Sequence, residues 1–250
     1  MLSRVLILFL TPLFMMSPIT QSPAAAQGSA PSRPSLQVRP ADDFEVSGAG
    51  DNAAWRKAEW TSLNRRQPDG LPYDARFKVL YSKTGLYFLM EGTDRKLTAT
   101  MTADFMDLWH EDVYEVFLWT DERSPIYLEY EISPLNHELL ILVPNFGGQF
   151  LGWRPWHFEG ERATRKATST MGGAKTSGAA IEGWRAEFFI PYAVLKPLQN
   201  VPPKAGTTWR ANFYRMDYDN GTTPTQWDWA RVGASFHEYE KFGELHFTDK

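Results

Sequence analysis

The chain has 250 residues, 43% of them hydrophobic, with 26 Lys+Arg against 30 Asp+Glu and no Cys. That length supports one large domain with a sizeable core, and ten Trp, ten Tyr and sixteen Phe supply apolar area that a disordered chain lacks. A net charge of -4 provides no basic stripe for phosphate backbones, so no nucleic acid is expected as a partner. The lack of Cys removes a disulfide framework, thiolate catalysis and any Cys-ligated metal.

Residues 1–26 read as an export signal: Arg4 gives the positive start, Val5 to Met16 is apolar except for Thr11 and Pro12, and Ala24-Ala25-Ala26 offers a small-x-small cleavage site. The apolar run is about half the ~20 residues that cross hydrocarbon. A cleaved signal, no membrane insertion afterwards, and a periplasmic or secreted location are expected. Residues 27–39, rich in Ser, Pro, Ala and Gly, read as a flexible leader, and residues 40–250 as a single domain.

From Ala75 onward, short alternating or aromatic-rich runs bounded by Gly, Pro, Asn and Asp predict strands. Arg76–Ser82 and Leu86–Glu91 flank a hairpin turn at Lys83-Thr84-Gly85. Val113–Trp119, Ile126–Ile132 and His137–Val143 follow as an antiparallel meander. Arg162–Thr170, Trp184–Ile190, Trp209–Met216 and Glu244–Phe247 continue the series, and Pro191–Leu195 predicts one helical turn. About nine strands with very little helix give an all-β fold, a single antiparallel, jelly-roll-like β-sandwich.

Parity along Val113–Trp119 sorts its side chains, because successive strand residues face opposite sides. Tyr114, Val116 and Leu118 form one set, which fits an inter-sheet core. Val113, Glu115, Phe117 and Trp119 form the other and place a carboxylate among aromatics.

Catalytic signatures are scarce. The chain has no Gly-x-Ser-x-Gly elbow, no His-Glu-x-x-His and no phosphate-cradling or dinucleotide loop. His110, His137, His157, His237 and His246 are scattered. Glu111, Asp112 and Glu115 lie close together, and Glu129 and Glu131 share a strand face, yet glycoside hydrolysis needs two carboxyls flanking the scissile bond. A glycoside hydrolase is therefore the weakest of the readings. The stronger signal is Trp in loops: Trp109 beside His110-Glu111-Asp112, Trp153 and Trp156 between Gly and Pro, and Trp227 and Trp229 in Thr225–Trp229. Flat rings with polar groups at their rims suit the C–H faces and hydroxyls of a sugar. Trp55, Trp60, Trp184 and Trp209 sit in apolar patterns and are assigned to the core.

The segment Leu108–Leu118, LWHEDVYEVFL, resembles the W-x-x-D-x-x-E core of the family 9 carbohydrate-binding modules. Asp51–Ala58 resembles that family's opening D-x-x-x-W-x-x-A, Glu131–Asn136 its E-x-x-P-x-N, and Gly183–Leu195 its G-W-x-x-E-x-x-I-P-x-x-x-L. Trp209–Arg215, Thr225–Trp229 and Phe242–Leu245 extend the likeness, which runs from about residue 40 to 248. The resemblance implies an antiparallel β-sandwich without catalytic activity that grips oligo- or polysaccharide of the xylan or glucan type between two Trp rings, in association with glycoside hydrolases. It implies Trp109 as one ring, Trp227 or Trp229 as the other, Glu115 as acceptor for sugar hydroxyls, and Asn136 and Arg215 as polar partners. It also brings calcium, for which Asp42, Asp43, Asp51 and Asp94 are candidates by composition; Trp119 stands where many relatives carry a small or acidic residue. The alternative is a haem-binding redox module of the DOMON-like sandwiches, suggested by Met90, Met101, Met216 and His110.

Overall fold

Alternation in the central strands decides the architecture. In the computed structural model, which describes residues 33–250, Tyr114, Val116 and Leu118 join one hydrophobic core while Val113, Phe117 and Trp119 join a second on the other side of the same sheet. The expected export signal and residues 27–32 of the expected leader lie outside the described residues.

Fifteen strands are found among the described residues: β1 (Ser35–Pro40), β2 (Thr61–Ser62), β3 (Asn64–Arg65), β4 (Ala75–Tyr81), β5 (Gly85–Thr93), β6 (Val113–Trp119), β7 (Ile126–Ile132), β8 (Glu138–Phe146), β9 (Gln149–Phe150), β10 (Arg154–Pro155), β11 (Arg165–Met171), β12 (Gly183–Pro191), β13 (Thr208–Asp217), β14 (Thr225–Asp228) and β15 (Gly243–Phe247). One layer runs β10-β8-β7-β6-β13-β15 and the other β4-β5-β12-β11. The two β-sheets pack as a sandwich around Phe77, Phe88, Trp184, Phe188, Val116, Tyr130 and Phe213.

The β1 strand joins the layers. Ser35–Val38 pairs in parallel with β15, and Arg39–Pro40 pairs in parallel with β4. Residues 35–39 are thus part of the fold rather than a leader, and Val38 is fully buried. Composition hid this strand because Ser, Pro and Arg dominate its neighbourhood, and tertiary pairing overrides that local signal. Pro191–Leu195 forms successive i→i+3 turns instead of a helical turn.

Each layer is also covered on part of its outer face. On the β4-β5-β12 side, Trp55, Leu80, Tyr87, Leu89 and Phe189 form a small core under residues 41–60. Glu187 pins that cover: its carboxylate accepts from the backbone N–H groups of Ser47 and Gly48, both at 2.8 Å, and from Trp55 Nε1 at 2.7 Å. On the β6-β7-β8 side the cover comes from loops carrying Leu108, Val232, Tyr239 and Phe242. This second cover is incomplete, and the gap in it is the cleft described next.

Candidate functional site

The cleft has a volume of about 400 Å³, within the range of small-molecule sites. Its floor is the outer face of the sheet, with Glu115 and Phe117 from β6, Glu129 from β7, Ile141 from β8, Met216 from β13 and Gln226 from β14. Its walls are Trp109, Phe150, Trp153, Phe236 and His237.

The turn before β6 explains how Trp109 comes to stand there. Leu108 is buried, anchoring the turn. The Asp112 carboxylate accepts from the N–H of Thr98 at 2.6 Å and of Tyr218 at 2.9 Å, tying two loops together, and the Tyr218 hydroxyl donates to the Trp109 carbonyl at 2.6 Å. Three residues beyond Asp112, the strand turns Glu115 onto the cleft face. The spacing W-x-x-D-x-x-E thus encodes a wall, an anchor and a floor.

Trp109 and Trp153 meet edge to face, with centroids 5.7 Å apart and planes at 71°. They make a corner, not a parallel pair. Both keep part of their surface open, Trp153 at 38%. Opposite, Phe150 stacks on His237 at 4.1 Å, and the Tyr127 hydroxyl lies 2.6 Å from His237 Nδ1. Burial lowers the His237 pKa to about 4, so the ring is neutral at neutral pH.

Glu115 and Glu131 are direct cross-strand partners, and Glu129 stands opposite Phe117 on the same face. All three are buried. Burial pushes the Glu115 and Glu131 carboxyls well above the ordinary range, and it raises Glu129 to about 8.

Of the six residues expected at the site, Trp109 and Glu115 line this cleft and four do not. Trp227 and Trp229 are packed in the inter-sheet core, 1% and 6% exposed, and Trp227 Nε1 donates to the Tyr73 carbonyl. β14 alternation buries Trp227 and turns Gln226 to the cleft instead. Neither ring can oppose Trp109, whose neighbour in the cleft is Trp153, set edge to face beside it. Asn136 sits in the β7–β8 turn with φ 71° and does not line the cleft. Arg215 is fully buried, and its Nη2 donates to Asp94 at 3.1 Å and to Asp217 at 2.6 Å. Gln226, Phe150, Phe236 and His237 escaped the sequence reading, because they converge from three separate loops and strands. Trp60, assigned to the core, is only half-buried, with the Arg76 guanidinium 4.3 Å above its ring.

Asp94, Asp217 and Asp219 are the one group of three metal-type ligands gathered among the described residues, with oxygens within 4.8 Å of one another. The group fits calcium poorly. The positive charge is already supplied by Arg215, and three side chains fall short of the six to eight oxygens calcium takes. Asp42, Asp43 and Asp51 do not join it. The Met and His residues considered for haem lie apart: Met90 in the inter-sheet core, Met216 on the cleft side and His110 exposed. A larger hollow of about 600 Å³ is lined by Pro40, Lys57, Tyr81, Tyr192 and Pro202. Both its tyrosine hydroxyls already donate to backbone carbonyls, those of Thr248 and Ser82.

Residues 46–136 match the family model described as carbohydrate family 9 binding domain-like, and the chain is similar to the family 9 carbohydrate-binding modules, a family of binding modules. An extracellular protein of Arthroderma benhamiae is 27% identical over 197 residues, covering 75% of this chain and 85% of that one. A family 9 module from Caldicellulosiruptor kristjanssonii, solved with cellotriose, superposes with a TM-score of 0.62 at 17% identity over 87% of this chain and 95% of that one. A structure from Bacteroides uniformis gives 0.68 at 17% identity, over 86% of this chain and all of the other. These likenesses establish the shared sandwich fold.

Proposed function

We propose that this protein is an exported carbohydrate-binding protein, without catalytic activity of its own, that holds a xylan- or glucan-type saccharide in the corner formed by Trp109 and Trp153. The observation that carries this reading is that corner, open above a floor of carboxyls. One indole offers a face for the apolar side of a sugar ring and the other flanks its edge, while Glu115, Glu129 and Gln226 stand where hydroxyls would point. The structural relative from C. kristjanssonii was solved with cellotriose and in a further structure with glucose, which supports a glucan as the first ligand to test. Export is supported by the sequence of residues 1–26 and by the extracellular relative. Cooperation with glycoside hydrolases belongs to the same reading.

The three carboxyls stand together on one face of the sheet. A glycosidase needs two of them on opposite sides of the scissile bond, so binding is favoured over hydrolysis. Isothermal titration with cello- and xylo-oligosaccharides tests the proposal. Saturable heat that disappears in Trp109→Ala and in Trp153→Ala supports it; a folded protein giving no heat with any glycan overturns it.

A further inference from the structure

Resting on that reading, we propose that the cleft selects a sugar carrying a protonated amine, a β-linked glucosamine-type saccharide, whose ammonium sits against Glu129 and Glu115 while its ring lies on the Trp109–Trp153 corner. The argument starts from an asymmetry in how this protein treats buried carboxylates. Asp94 and Asp217 face Arg215, Glu91 faces Arg76 and Arg185, Asp228 faces Arg66, and Glu138 faces Lys166. Glu187 accepts four N–H bonds. Asp112 has no Arg or Lys either, but accepts two backbone N–H bonds; Glu115, Glu129 and Glu131, at 5% exposure or less, have neither kind of partner among the described residues.

Glu129 and Glu131, close enough to share a proton, also lack a donor from any other residue. Glu129 Oε2 and both carboxyl oxygens of Glu131 have no other hydrogen-bond partner, a state that costs free energy in a buried group. The groups facing them bring no positive charge. His237, 3.8 Å from Glu129 Oε2, is held neutral by burial; Tyr127, Tyr214 and Asp107 add none. Arg66 lies over the Phe236 ring at 5.1 Å and is committed to Asp228 and the Gly233 carbonyl.

An ammonium meets these needs where a hydroxyl meets only some of them. Its positive charge favours the ionised form of carboxyls that burial otherwise keeps protonated, it offers three N–H donors, and electron-rich ring faces such as those of Trp109 and Trp153 favour a cation beside them. A neutral sugar brings no charge to offset their ionisation, so beside it the carboxyls stay protonated. The floor of the cleft is therefore complementary to a positively charged sugar.

The test is calorimetric titration of the whole exported chain, at pH 6 and 150 mM NaCl, with three trisaccharides of one backbone: β-1,4-linked glucosamine, its N-acetylated form, and cellotriose. At that salt, general attraction to an acidic protein is largely screened. The glucosamine trisaccharide should bind at least tenfold tighter than the other two, and that ratio should fall towards one in Glu129→Gln, whose fold is checked by circular dichroism. Equal or tighter binding of cellotriose or the N-acetylated sugar overturns the inference and leaves the saccharide reading standing. A preference that persists in Glu129→Gln also overturns it, since the amine is then read elsewhere. Binding of none of the three sinks the inference and the glucan reading together.

Discussion

The indole of Trp153 stands at 71° to that of Trp109, with 5.7 Å between their centroids, so the two rings brace each other while each keeps an open side. Because both are partly exposed, truncating either removes ligand contact with little loss of core. Trp109→Ala and Trp153→Ala should each weaken saccharide binding by about 2 kcal/mol, roughly 30-fold. Thermal unfolding measured on the same samples should show melting temperatures close to that of the parent.

The opposite pattern is expected for the other pair of tryptophans. Trp227 and Trp229 fill the inter-sheet core, Trp229 edge-on to Phe77 and Phe213. Trp227→Ala and Trp229→Ala should each cost about 3–5 kcal/mol of stability. Chemical denaturation would register this as a lower midpoint, and a midpoint equal to the parent's would show that the ring is not buried.

Arg215 should behave as a structural cation. Its guanidinium lies so close to the backbone that a Cβ added at Gly92 would come within 2.5 Å of Nη1. Arg215→Met leaves Asp94 and Asp217 buried without a counter-charge and should destabilise the fold by about 3–5 kcal/mol. Since Arg215 already compensates the acidic group, adding EDTA should leave the melting temperature unchanged, a direct check on calcium.

Several raised carboxyls fix the sign of the pH dependence. Glu129 and Asp112 are pushed to about 8 and Asp94 to about 7, in each case chiefly by burial. The folded state therefore holds protons that the unfolded state has released, and stability falls as pH rises from about 4 to about 8. His237, lowered to about 4, acts the other way, but only below its unfolded value of 6.5. Between pH 6.5 and 8.5 nothing from His237 opposes the loss. Melting temperature should drop by several degrees across that window, each kcal/mol being about 2–4 °C for a domain of this size. Glu129→Gln should flatten the slope.

Much of the fold was legible because alternation is a local signal. Val113–Trp119 and Ile126–Ile132 emerge with the predicted bounds, and the two faces of β6 separate as parity predicts. The motifs also carried more structural than binding information. Trp55 from the opening motif and Glu187 from the Gly183–Leu195 motif meet through a hydrogen bond across 132 residues, and Asp112 ties loops together. The site was half legible: Trp109 and Glu115 share a motif, but their companions arrive from residues 150–153 and 226–237, and no spacing announces that convergence. A Trp between polar residues gives no sign of which way it faces until the register of β14 against β13 is set.

The parallel pairing of β1 with β15 has a mechanical consequence. Ser35 lies beside Glu244 and Val38 beside Phe247, so tension applied at the amino end of the first strand and the carboxyl end of the last slides them lengthwise past each other. Such shear loads the ladder bonds simultaneously instead of unzipping them in turn. A domain tethered by its two ends, with its cleft holding a polymer, would resist pulling along that axis more than across it.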